Sequence, residues 1–161
     1  MKIAVVSLIF KSIEYAEFVK RSFDKYTPEK DTEFWFIANN ATPEVLEHLK
    51  TKNYNYIVHM NPKYQNVPYP ENIGGIYTAW NRAKDIDCDI LVLVNSDMQF
   101  SPNWLPNLLK DLNENRVKTS KLVESGKMPS GDLCISKNFG RTPDEYKETD
   151  FQIFSKQISQ N

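Results

Sequence analysis

The sequence is poor in several things, and each scarcity closes off a class of protein. Only two cysteines, Cys88 and Cys134, occur in 161 residues, and they are far apart. Two lone cysteines make neither a disulfide framework nor a zinc site. A reduced, intracellular setting is the expectation, and with it a cytoplasmic location. Charge of one sign is also missing: 20 Lys plus Arg stand against 21 Asp plus Glu, a net charge of −1. General binding to a nucleic-acid backbone, which needs a basic face, is not expected. No apolar run approaches the roughly 20 residues of a membrane-spanning helix, so no transmembrane segment is expected. The apolar start, Ile3 to Phe10, is short, lacks a small-residue cleavage site and is followed by an amphipathic segment, so it reads as a buried strand rather than a signal peptide. Glycine numbers only five, and neither a GxGxxG fingerprint nor a P-loop is present. No repeat period and no low-complexity segment appears.

What remains is an ordinary globular composition, 40% hydrophobic and 25% charged in 18.8 kDa. That length predicts a single domain, residues 1–161, with a core of its own. Strand and helix patterns alternate through the first hundred residues. Lys2 to Leu8 is a continuous apolar run, as in a strand covered on both faces. Ser12 can cap a helix in which Ile13, Ala16, Val19, Phe23 and Tyr26 recur at three or four residues, with Pro28 just beyond it. Glu33 to Ala38 reads as a strand, and Thr42-Pro43 as the cap and first residue of a helix carrying Val45, Leu46 and Leu49. Tyr54 to His59 is a third strand. A loop rich in Pro, Tyr and Asn, from Asn61 to Glu71, leads to a helix with the stripe Ile73, Ile76, Tyr77, Trp80 and Ala83. Asp89 to Val94 predicts a strand in the middle of the sheet, and Trp104 to Leu112 a helix with Pro106 in its first turn. Beyond Asn113 the pattern weakens. Val117 to Val123 reads as a strand, Glu124 to Arg141 (with Gly126, Pro129, Gly131 and Gly140) as loop, and Pro143 to Ile158 as a last helix. The alternation implies an α/β fold with a mainly parallel sheet flanked by helices and a less regular C-terminal part.

In such sheets ligands bind beyond the carboxyl ends of the strands. That rule selects Asn95-Ser96-Asp97, Asn39-Asn40 and the segment opened by Asn72, Gly74 and Gly75. A hard divalent cation needs few protein oxygens when substrate phosphates supply the rest, so Asp97 with a polar neighbour suffices in principle. Asn95 can add a hydrogen bond to a ribose or a metal-bound water, and Ser96 a hydroxyl and an N–H. The competing reading makes Asp97 the cap of the turn beside Ser101 and Pro102. Asn39 and Asn40 either read a nucleobase edge or simply make a turn, since asparagine tolerates left-handed geometry. Gly74 and Gly75 either let a ligand approach a helix N-terminus or only join loop to helix. Tyr64, Tyr69 and Trp80 read as packing residues, with Trp80 in the core. His48, on the exposed side of its helix, and His59 have no partner that would make them metal ligands.

These residues together resemble a known family. The stretch Asn72-Ile-Gly-Gly-Ile-Tyr-Thr-Ala-Trp-Asn81-Arg-Ala, then ILVLV-Asn95-Ser96-Asp97, then Ser101-Pro-Asn-Trp-Leu, resembles the family 2 glycosyltransferases of GT-A (Rossmann-like) fold. There a segment like N-x-G-x-x-x-A-x-N-x-G precedes a strand ending in a D-x-D motif or its N-x-D variant. The resemblance covers residues 1 to about 112, the half that binds a nucleotide-sugar. It implies that Asp97 holds a manganese or magnesium ion bridging the donor diphosphate, and that Asn95 contacts the ribose or the metal shell. Ser7 and Ile9 would line the base pocket. Asn39 would stand where the family commonly has a base-reading aspartate, and the change from carboxylate to amide argues against a fixed uridine preference. Asn81 would support the sheet.

The implied activity is hexosyltransferase-like transfer of a sugar from a nucleotide-diphosphate donor to a glycan, lipid-linked or other hydroxyl acceptor, in a chain that could form oligomers. The transfer needs a carboxylate to take the acceptor proton. Asp144, Glu145, Glu148 and Asp150 are candidates by residue type, against the reading of a solvated helix face. Only a shortened acceptor-side segment, residues 113–161, follows, so the resemblance implies a truncated or minimal enzyme. The alternative is a non-catalytic or partial nucleotide-sugar-binding module. A nucleotidyltransferase is a third reading, against which Ser7-Leu-Ile-Phe-Lys11-Ser12, without a glycine, counts.

Overall fold

The computed structural model describes residues 1–27, 30–126 and 134–158, so Pro28, Pro129 and Gly131 lie outside the described residues. The chain divides into two compact units, one of Met1–Asp24 with Pro28–Gln99, the other of Lys25–Thr27 with Phe100–Asn161.

The N-terminal unit is an α/β fold. Its strands β1 (Ile3–Ile9), β2 (Thr32–Asn39), β3 (Asn55–His59) and β4 (Ile90–Val94) form one parallel sheet in the order β3-β2-β1-β4. Between them run helices α1 (Ile13–Tyr26), α2 (Pro43–Thr51) and α3 (Ile73–Trp80), the last continuing as a 3₁₀ turn over Asn81–Asp85. The expected caps form: Ser12 Oγ accepts from Tyr15 N–H at 3.2 Å, and Thr42 Oγ1 from Val45 N–H at 3.4 Å. Strand alternation sends Phe34 and Phe36 to one face, where Phe34 meets Phe23 of α1 at 4.9 Å between ring centroids. Ala4, Val6 and Ile37 point to the other face and pack with Ala79, Ala83 and Ile86.

Two expectations are corrected. Strand β4 pairs only with β1, so it is an edge strand of this sheet, not a central one. Its Leu91 and Leu93 are accordingly 41% and 50% exposed. In α3 the buried positions are Gly75 and Ala79, whereas Ile73 and Tyr77 are exposed and Trp80 is half-buried. The helix approaches the sheet through its smallest residues, so Ile73 and Tyr77 stay at the rim, while half-buried Trp80 packs against the core cluster as expected.

The C-terminal unit is sparser. Helix α4 spans Trp104–Leu109, shorter than expected, with Pro106 in its first turn, and Lys110 and Asp111 (φ 59°) end it before Leu112. Trp104 Nε1 donates to Thr27 Oγ1 at 2.9 Å. The strand expected over Val117–Val123 is only Leu122–Glu124 (β5), and Val117 is fully exposed. Cys134–Ser136, expected as loop, forms strand β6, parallel to β5. The last helix, α5, is Glu148–Ile158; Pro143–Glu145 is a separate 3₁₀ turn, and the extended backbone of Tyr146 separates the two. Phe139 packs on Phe151 and Phe154, each at 5.5 Å between centroids.

Candidate functional site

The carboxyl ends of β1, β2 and β4 open into a cavity of about 400 Å³ whose lining belongs wholly to the N-terminal unit. Strand β1 and the residue after it supply Leu8, Ile9 and Phe10, β2 leads into Asn39 and Asn40, and β4 runs out into Asn95, Ser96 and Asp97. Tyr15 of α1, Tyr64, and Asn72, Gly75, Ile76 and Trp80 of the α3 segment complete the wall. The parallel sheet makes this arrangement: each strand delivers its last residues to the same edge.

Among the described residues Asp97 is the only Asp, Glu, His, Lys or Arg in this lining. It is exposed, and its carboxylate makes no hydrogen bond or ion pair among the described residues, so the turn-cap reading finds no support. The turn that presents it is closed by backbone alone, Met98 N–H donating to Asn95 O at 3.2 Å. Asn95 is exposed beside it and Ser96 half-buried. No group of three or more His, Cys, Asp or Glu able to hold a metal occurs among the described residues. The side-chain oxygens at this point are one carboxylate, one amide and the Ser96 hydroxyl, so a hard cation there would take most of its ligands from waters and ligand oxygens.

The two asparagines at the end of β2 differ. Asn40 is structural: at φ 46° it accepts from Asn61 N–H through Oδ1 at 2.6 Å and donates from Nδ2 to Asn61 O at 3.1 Å. It thereby ties the end of β2 to the residue beyond β3. Asn39 Oδ1 is buried with no partner, and so is Asn72 Oδ1 across the cavity wall. Both atoms lack the hydrogen bond that a buried carbonyl normally finds.

Ser7 takes a different place from the one the family resemblance implies. Ser7, two residues before Ile9 on the same strand face, is fully buried below the strand end and is not in the lining. Ile9 does line the cavity. Gly74 does not, and the two glycines serve a neighbour rather than a ligand. A Cβ on Gly74 would lie 2.5 Å from Tyr64 Oη, and one on Gly75 2.7 Å from Tyr64 Cβ and Cγ. Tyr64 and Trp80, read from the sequence as packing residues, are half-buried and line the cavity. A pair of adjacent glycines at a helix start, ten residues after a tyrosine, is the signal that could have found the first of them.

Outside the cavity, His48 is half-buried rather than on an open helix face. Its Nε2 lies 2.7 Å from Glu17 Oε1, which also accepts from Tyr54 Oη at 3.0 Å. His59 Nε2 lies 3.3 Å from Thr78 Oγ1, and burial, then the charge of Arg82, lowers its pKa. Of the C-terminal carboxylates, Glu145 accepts from Arg141 N–H at 3.1 Å and Glu148 pairs with Lys25 at 2.5 Å. Asp150 lies with Lys147 in a shallow groove of that unit. None of the four lines the strand-end cavity.

No family model matches this chain, and no curated protein does. Among solved structures, the crystal structure of S. aureus TarS 1–349 is similar at a TM-score of 0.49 and 18% sequence identity. The match covers 69% of this chain and 33% of that one, so this chain spans about a third of that structure's length. No helix among the described residues is long and apolar enough to cross a membrane.

Proposed function

We propose that this chain binds a nucleotide-diphosphate sugar at the strand-end cavity and is the donor-binding part of a glycosyltransferase. The observation that carries the reading is the placement of Asp97, exposed and unpaired, in a cavity otherwise lined by amides, hydroxyls, aromatic rings and a few aliphatic side chains. A diphosphate brought against a lone carboxylate needs a cation between them, because like charges at close range repel. Asp97, assisted by Asn95, would hold manganese or magnesium there, and when bound the ion would stabilise the charge developing on the leaving diphosphate. The chain's own part is to hold the donor between Asp97 and the asparagine end of the cavity. In the transfer, the acceptor oxygen bonds to the anomeric carbon as the bond to the diphosphate oxygen breaks. The acceptor proton passes to a carboxylate base.

A partial, non-catalytic binding module is the second reading. It is favoured by one observation: among the described residues Asp97 is the only carboxylate in the lining, and the candidates Asp144, Glu145 and Asp150 belong to the C-terminal unit.

Calorimetric titration of nucleoside diphosphates and nucleotide-sugars, with manganese and with chelator, tests the proposal. The expected result is manganese-dependent binding of one diphosphate-sugar, weakened at least about tenfold in Asp97→Ala, the effect of removing a charge-assisted contact. Binding that survives Asp97→Ala unchanged sinks the assignment. Sugar transfer that disappears in the same variant excludes the non-catalytic reading.

A further inference from the structure

We infer that Tyr64 is the ring-reading wall of this cavity, against which the planar base of the bound nucleotide lies. The inference rests on the nucleotide reading above and names the residue that selects for the base.

The two ends of the cavity differ in chemistry. The end of β4 offers Asp97, whereas the end of β2, two strands away across β1, offers Asn39, with Asn72 and Tyr64 completing that part of the wall. Two inter-strand spacings are about 10 Å. That is the separation a nucleoside diphosphate needs between its phosphates and its base. The asparagine end has no charged side chain in its lining, and it holds the two buried carbonyl oxygens, Asn39 Oδ1 and Asn72 Oδ1, that lack partners. Both are closed off from solvent as the side chains stand, so they meet the N–H edge of a heterocycle only where the amide turns toward the cavity.

The helix start at this end does not suit a phosphate. Most of its leading N–H groups are already committed: Asn72 donates to Pro68 O at 3.0 Å, Ile73 to Pro70 O at 3.1 Å and Gly75 to Asn72 O at 2.8 Å, which leaves Gly74 N–H without a backbone acceptor among the described residues. Anion binding at a helix start depends on such groups being open.

The glycine pair instead seats an aromatic ring. The root of Tyr64 lies over Gly75 and its hydroxyl end over Gly74, closer than any Cβ would allow. Tyr64 N–H is anchored to Asn61 O at 3.0 Å, and Asn61 is held in turn by Asn40. The ring is thus positioned before any ligand arrives, which spares the ordering cost of binding. Lys63, though outside the lining, puts its Nζ over the ring at 5.2 Å from the centroid, so a stacking base meets this ammonium as well as the ring.

The test compares manganese pyrophosphate, which has no base, with the nucleoside diphosphate that the wild-type chain binds best. Stacking of a base on an aromatic side chain is worth a factor of about 5 to 150. Tyr64→Ala is expected to weaken the nucleoside diphosphate by that factor and leave pyrophosphate unchanged, while Tyr64→Phe stays within about threefold of wild type. Gly74→Ala, which displaces the hydroxyl end of the ring, should give a smaller loss with the same selectivity. Asp97→Ala should weaken both ligands. If Tyr64→Ala leaves nucleoside diphosphate affinity intact, or lowers both affinities equally, the inference fails and the nucleotide reading stands. If no nucleoside diphosphate binds the wild-type chain, both fail together.

Discussion

The two units use their hydrophobic residues in different ways. In the N-terminal unit a central strand, β1, has Val5 and Val6 fully buried, and helices on both faces close over the sheet with Val19, Leu49 and Ala79 at 0% exposure. In the C-terminal unit the two paired strands are three residues long and half-buried at best, and burial concentrates on Phe100, Leu105 and Phe139. A layered core gives each buried side chain many neighbours. A cluster of a few rings gives each of them fewer, and leaves neighbours such as Ile153 at 55% exposure. The lesson is that cavity-building belongs to the first arrangement: a site held to within fractions of an ångström needs strands that cannot move.

That contrast is sharpest for truncation of one phenylalanine in each unit. Phe36 is fully buried and touches Phe34 and Tyr54 across the helix-covered face. Phe36→Ala should cost about 3–5 kcal/mol, the range for large-to-small changes at sites that cannot collapse. Phe139→Ala, in the ring cluster, should cost about 1–2 kcal/mol, since the exposed surroundings can close around the gap. Urea denaturation followed by circular dichroism measures both. Equal costs would remove the distinction between a layered core and a loose cluster.

How far this difference was legible beforehand follows from the same physics. Strand β1, helices α1 and α2 and the caps Ser12 and Thr42 are readable because burial on both faces or on one stripe leaves a period in the residues. Strand β4 carries the same uninterrupted apolar run, ILVLV, yet lies at the sheet edge with alternate side chains exposed. Hydrophobic content reports that a strand exists, not how many neighbours it has. Strand β6 and the break at Tyr146 left no signal, because three residues are too few to show a period and one extended residue interrupts a helical pattern without changing it. In the cavity, the polar residues that end strands were legible from the topology rule, as for Asn39, Asn95 and Asp97. Tyr64 was not, since its place depends on a tertiary contact with Gly74 and Gly75. Ser7, a position that the family resemblance implied, is fully buried and does not reach the cavity lining.

The C-terminal unit does hold one position as tightly constrained as any in the sheet. Gly140 has φ +114°, and a Cβ there would lie 2.6 Å from the carbonyl oxygen of Glu145 and 2.8 Å from Tyr146 Cα. Neither atom is the end of a flexible side chain. Gly140→Ala must therefore shift the backbone that precedes α5, at a cost of about 1–3 kcal/mol. Thermal unfolding of the variant checks this, and hydrogen exchange should place the loss at α5 rather than in β1. Exchange that quickens in β1 to the same extent would mean that the two units unfold as one.

The smallest effect concerns the polar contact that joins α1, α2 and the start of β3. Glu17 accepts from Tyr54 Oη and meets His48 Nε2 through the same oxygen. Partial burial alone would raise its pKa, but the His48 and Tyr54 hydrogen bonds and the charges of Lys52 and His48 outweigh that, and the net shift is below the ordinary 4.5. The same contact acts on Tyr54 in the other direction: burial, then the Glu17 carboxylate, pushes its phenol up to about 12. A carboxylate whose pKa is lowered by folding binds protons more weakly in the native chain than in the unfolded one. Its contribution is fully present above pH 4.5 and is lost as pH falls through the lowered native value. The side chain is 38% exposed, so solvent screening limits that contribution to no more than about 1 kcal/mol. The stability gap between wild type and Glu17→Gln should accordingly shrink as pH falls below about 5. A gap that widens on acidification would show that Glu17 is a strained neighbour of Tyr54 rather than a clasp, and that the helical layer over β2 owes its order to Phe23, Phe34 and Phe36 alone.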